Sequence, residues 1–146
     1  MEAQGFIVYT DGSCWTGDRI GGYAWVAIDE DDNVIEGGGY QHDTTISCME
    51  LMGPWEALDQ ILTFRGPSVV LVHSDSQYVV MGITDRKRKR KVNNELWDIL
   101  DEVVDAHELV VFEHVKGHAG DHYNEIVDDM AGKFRKEGQT SDHTAA

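Results

Sequence analysis

The chain has 146 residues and a formal net charge of −15 at pH 7, from 12 Lys and Arg against 27 Asp and Glu. Its length fits one domain, and its 41% share of hydrophobic residues suffices for a buried core. No apolar stretch is long enough to span a membrane, and the first residues lack the pattern of a secretory signal. With only Cys14 and Cys48, a disulfide scaffold or a Cys-rich zinc site is not expected. We therefore expect a cytoplasmic protein that has no membrane partner.

The positive charge is concentrated in one place. Six of the 12 basic residues form an unbroken run, and without it the chain has 6 positive against 27 negative residues, a charge of −21. The run consists of Arg86, Lys87, Arg88, Lys89, Arg90 and Lys91. Such a run is either a solvated loop or localisation signal, or a local docking site for a polyanion on an acidic body.

The first third of the chain predicts three antiparallel strands joined by short connections. A β-rich run over residues 6–11 ends in the turn signal Asp11-Gly12-Ser13. The second and third strands are predicted over residues 23–28 and 34–40.

The rest of the chain predicts alternating helices and strands. The first helix has an N-cap at Thr44 or Thr45, and Pro54 inside it predicts a bend close to Glu50 because proline cannot donate to the carbonyl of residue 50. The later elements are a strand over 69–72, a helix over 77–83, a helix over 95–106, a strand over 109–115 and a helix over 124–136. This order predicts one α/β domain over residues 1–138, with a mixed sheet and helices on both faces. Residues 139–146 are predicted to be a disordered polar tail.

Four acidic residues stand out by their positions. Asp11 and Asp75 each follow an apolar run at the expected end of a strand, where ligand sites of α/β sheets gather, and Glu50 and Asp128 lie on the first and last long helices. Clustered carboxylates repel each other unless cations compensate, and oxygen ligands favour Mg²⁺ or Mn²⁺. Two such ions can activate a water and stabilise the leaving oxygen of a phosphodiester. The competing interpretation is chance, because Asp favours turns and the chain has 27 acidic residues.

His118 is the fifth candidate. It lies in a Gly-rich turn over residues 116–120, where we expect an exposed imidazole that exchanges protons near neutral pH. It is also one of seven histidines, and the alternative is an incidental surface residue.

Five sequence blocks, in order between about residues 6 and 136, resemble ribonuclease H of type 1. They are Tyr9-Thr10-Asp11-Gly12-Ser13-Cys14, Cys48-Met49-Glu50-Leu51-Met52, Ser74-Asp75-Ser76-Gln77-Tyr78-Val79, Val115-Lys116-Gly117-His118-Ala119-Gly120, and Asn124-Glu125 with Asp128. The resemblance implies a five-stranded sheet of order 3-2-1-4-5. It also implies hydrolysis of the RNA strand of RNA–DNA hybrids by a monomer with two Mg²⁺ ions, for which Mn²⁺ can substitute. The products would carry 5′-phosphate and 3′-hydroxyl ends.

The same resemblance implies roles for individual residues. The catalytic and metal-binding acids would be Asp11, Glu50, Asp75 and Asp128, and His118 would assist proton transfer or product release. The substrate contacts would be Gly12, Ser13, Ser47 and Gln77 at the minor groove and the 2′-hydroxyls, Thr45 and Asn93 at a phosphate of the DNA strand, and the basic run from Arg86 to Lys91.

The chain also departs from the family pattern. The basic protrusion is shorter than in long-handled members and lacks their tryptophans. Gly17, and either Ile46 or Ser47, replace asparagines that often contact the hybrid, and Asp43 stands where a basic residue is common. These departures predict weaker binding of the hybrid or a requirement for higher salt and metal concentrations. Trp15 is expected to be exposed, either as a stacking contact for a nucleotide or as a plain surface residue.

Three other functions remain as alternatives. A 3′–5′ exonuclease of the same fold would carry Asp-x-Glu on its first strand, where this chain has Asp11-Gly12-Ser13. A non-catalytic hybrid-binding relative would lack some of the four acids, all of which are present. An acidic halophilic or phage protein would bind cations weakly and without a discrete site.

Overall fold

The computed structural model describes residues 4–85, 92–116 and 121–144. Its elements in chain order are β1 (Gly5–Cys14), β2 (Gly21–Asp29), β3 (Val34–Gln41), α1 (Ile46–Arg65), β4 (Val69–Ser74), α2 (Gln77–Thr84), α3 (Asn94–Ala106), β5 (Leu109–His114) and α4 (His122–Thr144). Within the described ranges, no helix is long and apolar enough to cross a membrane.

The five strands form one mixed sheet of order β3-β2-β1-β4-β5, as predicted. β2 pairs antiparallel with both β1 and β3, which makes the predicted meander. β4 pairs parallel with β1 and with β5. Strand β1 therefore lies at the centre of the sheet and has neighbours on both sides.

Helices cover both faces of this sheet. Side chains alternate along each strand, so the strands present apolar residues to the helices on either face. On one face, Trp25 and Ala27 of β2 belong to a buried core shared with α1 and α3. On the other face, Ala24 and Val26 pack against α4. β2, the neighbour of the central strand, is thus buried on both faces, and both helical layers reach the end of the β1–β2 pair.

The first strand is longer than predicted. β1 continues through the expected turn to Cys14, because β2 keeps pairing with it at Asp11, Gly12 and Ser13. Helix α1 also packs so closely here that a Cβ atom at Gly12 would lie 2.9 Å from the backbone nitrogen of Glu50. Glycine in this strand allows that close approach, and it brings the start of α1 beside Asp11.

The first helix follows the prediction at its start and is continuous through its proline. Thr45, one of the two predicted caps, accepts a hydrogen bond at Oγ1 from the backbone nitrogen of Cys48 at 3.2 Å. Pro54 is buried within α1, which extends from Ile46 to Arg65. The helix ends at Gly66, whose φ of 80° lies in the left-handed region that glycine favours.

The structure corrects the predicted end of the last helix and the predicted disordered tail. Residues 139–144 belong to α4, which continues to Thr144. Tertiary contacts hold this extension: His42 Nε2 bonds to the Gly138 carbonyl oxygen at 2.9 Å, and Gln139 Nε2 donates to Asp18 Oδ2 at 2.8 Å. The sequence pattern alone does not contain these contacts, because their partners lie in the β1–β2 loop and after β3.

Candidate functional site

Asp11 and Asp75 meet at the centre of the sheet. The last paired residues of β1 and β4 are Tyr9 and His73, and each aspartate lies two residues beyond one of them. The Tyr9 and His73 rings stack at 4.8 Å, and beyond them Asp11 and Asp75 line the same cavity and interact electrostatically. Asp75 follows β4 as expected, whereas Asp11 lies within β1, which continues to Cys14; the two strands are neighbours in the sheet.

Asp128 completes one wall of a small cavity at this point. The cavity holds about 10 Å³, which is close to the space of one water molecule. It is lined by Thr10, Asp11, Asp75, Asn124, Glu125, Val127 and Asp128. The first turns of α4 therefore bring an acid over the end of the sheet, where the two strand acids already lie.

Asp11 experiences strong repulsion in this cavity. Burial, the nearby charge of Asp75 and a hydrogen bond with Asp128 raise the pKa of Asp11 to about 8. The Gly12 N–H group, which donates to Asp11 Oδ1 at 2.8 Å, acts in the opposite direction because it stabilises the carboxylate. In the absence of a cation, Asp11 is thus a carboxyl group that holds a proton near neutral pH.

Glu50 approaches the same carboxylates from α1. Burial, followed by the charge of Asp75, raises the pKa of Glu50 to about 7, and a hydrogen bond with Ser76 opposes this rise. Ser76 is also the N-cap of α2, since its Oγ accepts from the backbone nitrogen of Val79 at 3.2 Å. Our sequence analysis missed this positioning role of Ser76, although Ser directly before a helix is a recognisable capping signal.

The donor set fits a hard divalent cation. All four acids supply oxygen ligands, which Mg²⁺ and Mn²⁺ prefer, and the pKa values of Asp11 and Glu50 are raised by burial and by the charge of Asp75, which a nearby cation would offset. Across residues 4–85, 92–116 and 121–144, no three His, Cys, Asp or Glu side chains are already grouped as a metal site.

A polar cluster lies at the start of α1 and includes three of the predicted substrate contacts. Ser47 Oγ lies 3.3 Å from Thr45 Oγ1, and Asn93 Nδ2 donates to Ser47 Oγ at 3.4 Å. Asn93, whose φ is 61°, also donates to the Tyr78 hydroxyl oxygen at 3.2 Å. The structure thus brings Thr45, Ser47 and Asn93 together at a helix N-terminus, where backbone N–H groups favour an anion.

The departure at Asp43 has a local compensation that the sequence did not indicate. Asp43 Oδ1 lies 3.1 Å from the Arg19 guanidinium, and both side chains are exposed. A cation therefore stands beside the start of α1 although position 43 itself is acidic. Tyr78, which contacts Asn93, is a second residue that sequence reasoning missed.

The other predicted contacts fall into two groups. Gly12 and Ser13 follow Asp11 directly on β1, and Gln77 is exposed at the first position of α2. His118 and the basic run from Arg86 to Lys91 lie outside the described residues.

Comparison with known sequences identifies close relatives. The sequence profile of the RNase H family matches residues 3–136. A ribonuclease H from Pseudoalteromonas translucida is 40% identical over 136 residues, which cover 85% of this chain and 85% of that protein. A ribonuclease H from Thermosynechococcus vestitus is 34% identical over 141 residues, covering 88% of this chain and 87% of that protein.

Solved structures share the fold. The N-terminal RNase H domain of a Mycobacterium tuberculosis protein gives a TM-score of 0.83 at 21% identity, over 95% of this chain and 99% of that one. LC11-RNase H1, solved in complex with an RNA/DNA hybrid, gives a TM-score of 0.73 at 22% identity, over 88% and 97% of the two chains. At these identities the structural likeness bears on the fold alone.

Proposed function

The chain belongs to the type 1 ribonuclease H family, and from this we propose that it hydrolyses the RNA strand of RNA–DNA hybrids by two-metal-ion catalysis. The products would carry 5′-phosphate and 3′-hydroxyl ends. One observation supports the proposal most strongly. Asp11 and Asp75 lie at equivalent positions beyond the paired ends of two neighbouring parallel strands, and Asp128 lines the same cavity.

The proposed ligands are Asp11, Asp75 and Asp128, which line this cavity, and Glu50, which interacts with Asp75 from α1. Asp11 has Asp75 and Asp128 beside it, so its two oxygens are suited to contacts with both ions. Glu50 and Asp75 influence each other's charge, and they would hold the ion on the α1 side. Asp128, exposed on α4, would hold the ion nearer the open cleft. Bound Mg²⁺ or Mn²⁺ supplies an activated water and stabilises charge on the leaving oxygen.

Protons held by the acids compete with this function. Asp11 and Glu50 have pKa values raised to about 8 and about 7, so each must release a proton before it can act as an anionic ligand. The Gly12 N–H group and Ser76 stabilise the two ionised forms. These groups prepare the acids for the metal-bound state. His118 is proposed to assist proton transfer or product release.

Substrate recognition is assigned to both sides of the cleft. Gly12, Ser13, Ser47 and Gln77 would contact the minor groove, where 2′-hydroxyls distinguish RNA from DNA. The cluster of Thr45, Ser47 and Asn93 offers neutral donors at a helix N-terminus and would bind a phosphate of the DNA strand. The basic run from Arg86 to Lys91 would add electrostatic affinity for the duplex.

The working form that we propose is a cytoplasmic monomer in which Cys14 and Cys48 stay as thiols. Both cysteines are free in the structure. Light scattering during size-exclusion chromatography would test the monomer, and a dimer that persists on dilution would contradict it.

The deciding experiment is cleavage of an end-labelled RNA–DNA hybrid in titrations of Mg²⁺ and Mn²⁺. Single-stranded RNA, duplex RNA and duplex DNA serve as substrate controls. We expect endonucleolytic products from the hybrid only, and ligation of the fragments would require the 5′-phosphate that the proposal assigns.

Two neighbouring aspartates of α4 provide matched variants. Asp128→Asn removes a proposed ligand, and we expect at least a 100-fold loss of activity because the ion near the cleft loses a charged ligand. Asp129→Asn makes the same chemical change one residue away, at an exposed side chain paired with Lys133 at 2.9 Å. It should keep wild-type activity.

The alternatives give different results in this assay. Removal of nucleotides one by one from a 3′ end would support the exonuclease. Hybrid binding without cleavage at any metal concentration would support the non-catalytic relative. Full activity of Asp128→Asn would refute the assigned ligand set.

A further inference from the structure

A cation and an exposed aromatic ring lie together beyond the proposed catalytic centre. The Arg135 guanidinium lies 5.2 Å from the centre of the Trp15 ring, and 57% of Trp15 is exposed. Arg135 Nε donates to Ser13 Oγ at 2.9 Å. Arg135 comes from α4 and the other two residues from the end of β1 and the loop after it, so this group of three is a product of tertiary packing.

The group lies along the same line as the acids. Ser13 is two residues beyond Asp11 on β1, which corresponds to roughly 7 Å along a strand on the same face. Arg135 is seven residues beyond Asp128 on α4, which is two helical turns and about 10 Å along one side. A duplex whose scissile phosphate lies at the acids would therefore pass Arg135 with a neighbouring part of its backbone.

Arg135 forms no direct ion pair with a carboxylate in the described part of the chain. Three other cations there form ion pairs: Arg19 with Asp43, Arg65 with Asp29, and Lys133 with Asp129. Arg135 instead donates to two neutral oxygens, Ser13 Oγ and Gln139 Oε1, the latter at 3.4 Å. A guanidinium has five N–H donors, so further donors remain for an anion.

The nearby acid Asp18 is occupied by other donors. Its Oδ2 accepts from Gln139 Nε2 at 2.8 Å, and its Oδ1 accepts from the backbone nitrogen of Ile20 at 3.1 Å. Gln139 thus stands between this acid and Arg135, and bonds to both. The hydrogen bond from Ile20 lowers the pKa of Asp18 most and the charge of Arg135 contributes to it, but Gln139 lies between the Asp18 and Arg135 side chains and leaves Arg135 donors free for another anion.

We propose that Arg135 and Trp15 form a subsite for the backbone of the RNA–DNA hybrid, next to the scissile phosphate. Arg135 binds one phosphate, because a planar guanidinium matches phosphate oxygens in charge and geometry. Trp15 contacts the sugar or base of the adjoining nucleotide with its exposed ring. This inference rests on the proposed function, and it adds a contact between the end of β1 and α4.

The contacts of Arg135 also join α4 to the β1 end, so a purely structural role must be separated from phosphate binding. A structural tie affects thermal stability and leaves the salt dependence of binding unchanged. A phosphate contact releases counterions, and the logarithm of the binding constant then falls with the logarithm of salt concentration by about 0.9 per phosphate. The salt slope is therefore the readout that distinguishes the two roles.

The test measures hybrid binding by fluorescence anisotropy in EDTA at several NaCl concentrations. Arg135→Gln should weaken binding about tenfold at low salt and reduce the salt slope by about 1. Arg135→Lys should restore the slope, because it restores the charge. Lys133→Gln, on the same helix, is the matched control and should leave the slope unchanged, because Lys133 is exposed and ion-paired.

Trp15→Ala provides an independent variant with little effect on folding, because the ring is exposed. It should weaken binding about fivefold and leave the salt slope intact, since stacking does not release counterions. All variants are compared at a temperature where circular dichroism shows them folded.

The outcomes separate this inference from the proposed function. An unchanged slope for Arg135→Gln, or an equal loss for Lys133→Gln, overturns the subsite while hybrid cleavage by the wild type stands. If Arg135→Gln reduces the salt slope but the wild type binds the hybrid and never cleaves it, the subsite is supported and the nuclease function is refuted. A wild type that does not bind the hybrid refutes both.

Discussion

Asp11→Asn is expected to stabilise the metal-free protein at alkaline pH. The substitution keeps the shape of the side chain and removes its charge. The pKa of Asp11 in the folded protein is raised from 3.8 to about 8 by burial, the charge of Asp75 and the hydrogen bond with Asp128. A carboxyl group with a raised folded-state pKa stabilises the fold fully below its unfolded-state pKa. This contribution is lost as pH rises through the folded-state value.

The pKa difference sets a ceiling on this effect. A difference of about four pKa units corresponds to about 6 kcal/mol in the free energy of unfolding. Asp11 is only half-buried, and its proton is shared with neighbouring carboxyl groups. We therefore expect solvent screening and coupling to leave about 2 kcal/mol. For a chain of this length, that free energy corresponds to a change of about 4–8 °C in Tm.

Thermal unfolding in EDTA at pH 5, 7 and 9 measures the effect. The Tm advantage of Asp11→Asn over the wild type should be smallest at pH 5 and largest at pH 9, with Asp129→Asn as the exposed control. Added Mg²⁺ should raise the wild-type Tm at pH 8 and have little effect on the variant, because a ligand that binds only the folded state stabilises it. The argument that burial and repulsion destabilise the Asp11 carboxylate would be refuted by a variant that is less stable than the wild type at pH 9. It would also be refuted by a variant whose Tm falls with rising pH as steeply as that of the wild type.

Two further predictions concern packing and binding. A Cβ atom at Gly82 would lie 2.2 Å from the Trp97 ring, so Gly82→Ala should lower the free energy of unfolding by about 1–3 kcal/mol. Gly132→Ala, in open space on α4, should raise the free energy of unfolding by up to about 1 kcal/mol. Urea titrations measure the free energy of unfolding of both variants, and equal effects would contradict the packing argument. Asn93→Asp keeps a residue that tolerates the left-handed backbone and places a negative charge at the proposed phosphate position. It should raise the KM for the hybrid about tenfold with kcat little changed. The control Asn33→Asp, in the β2–β3 turn, should leave KM unchanged. Equal KM values for the two variants would show that Asn93 does not contact the substrate.

Local pattern was enough for the order of the elements. Alternating and continuous apolar runs located all five strands, because burial of one or both faces leaves a direct mark on a strand. The ends of the helices and strands were harder to predict from the sequence. Asp11-Gly12-Ser13 has the composition of a turn, but β1 continues there because β2 supplies partners on one side and α1 packs against Gly12. The end of α4 was missed for the same reason, since contacts of Gly138 with His42 and of Gln139 with Asp18 hold the helix where the prediction ends it.

The sequence by itself was enough to identify the family and to propose the four acids and their chemical class. These depend on residue type and on the order of short blocks, which are local properties of the chain. Only the tertiary structure decided how the acids affect one another. Parallel pairing of β1 with β4 puts Asp11 beside Asp75, and burial under α1 and α4 raises two of their pKa values. The group of Arg135, Ser13 and Trp15 arises in the same way. Ser13 and Arg135 are 122 residues apart in the sequence and meet only when α4 packs on the sheet.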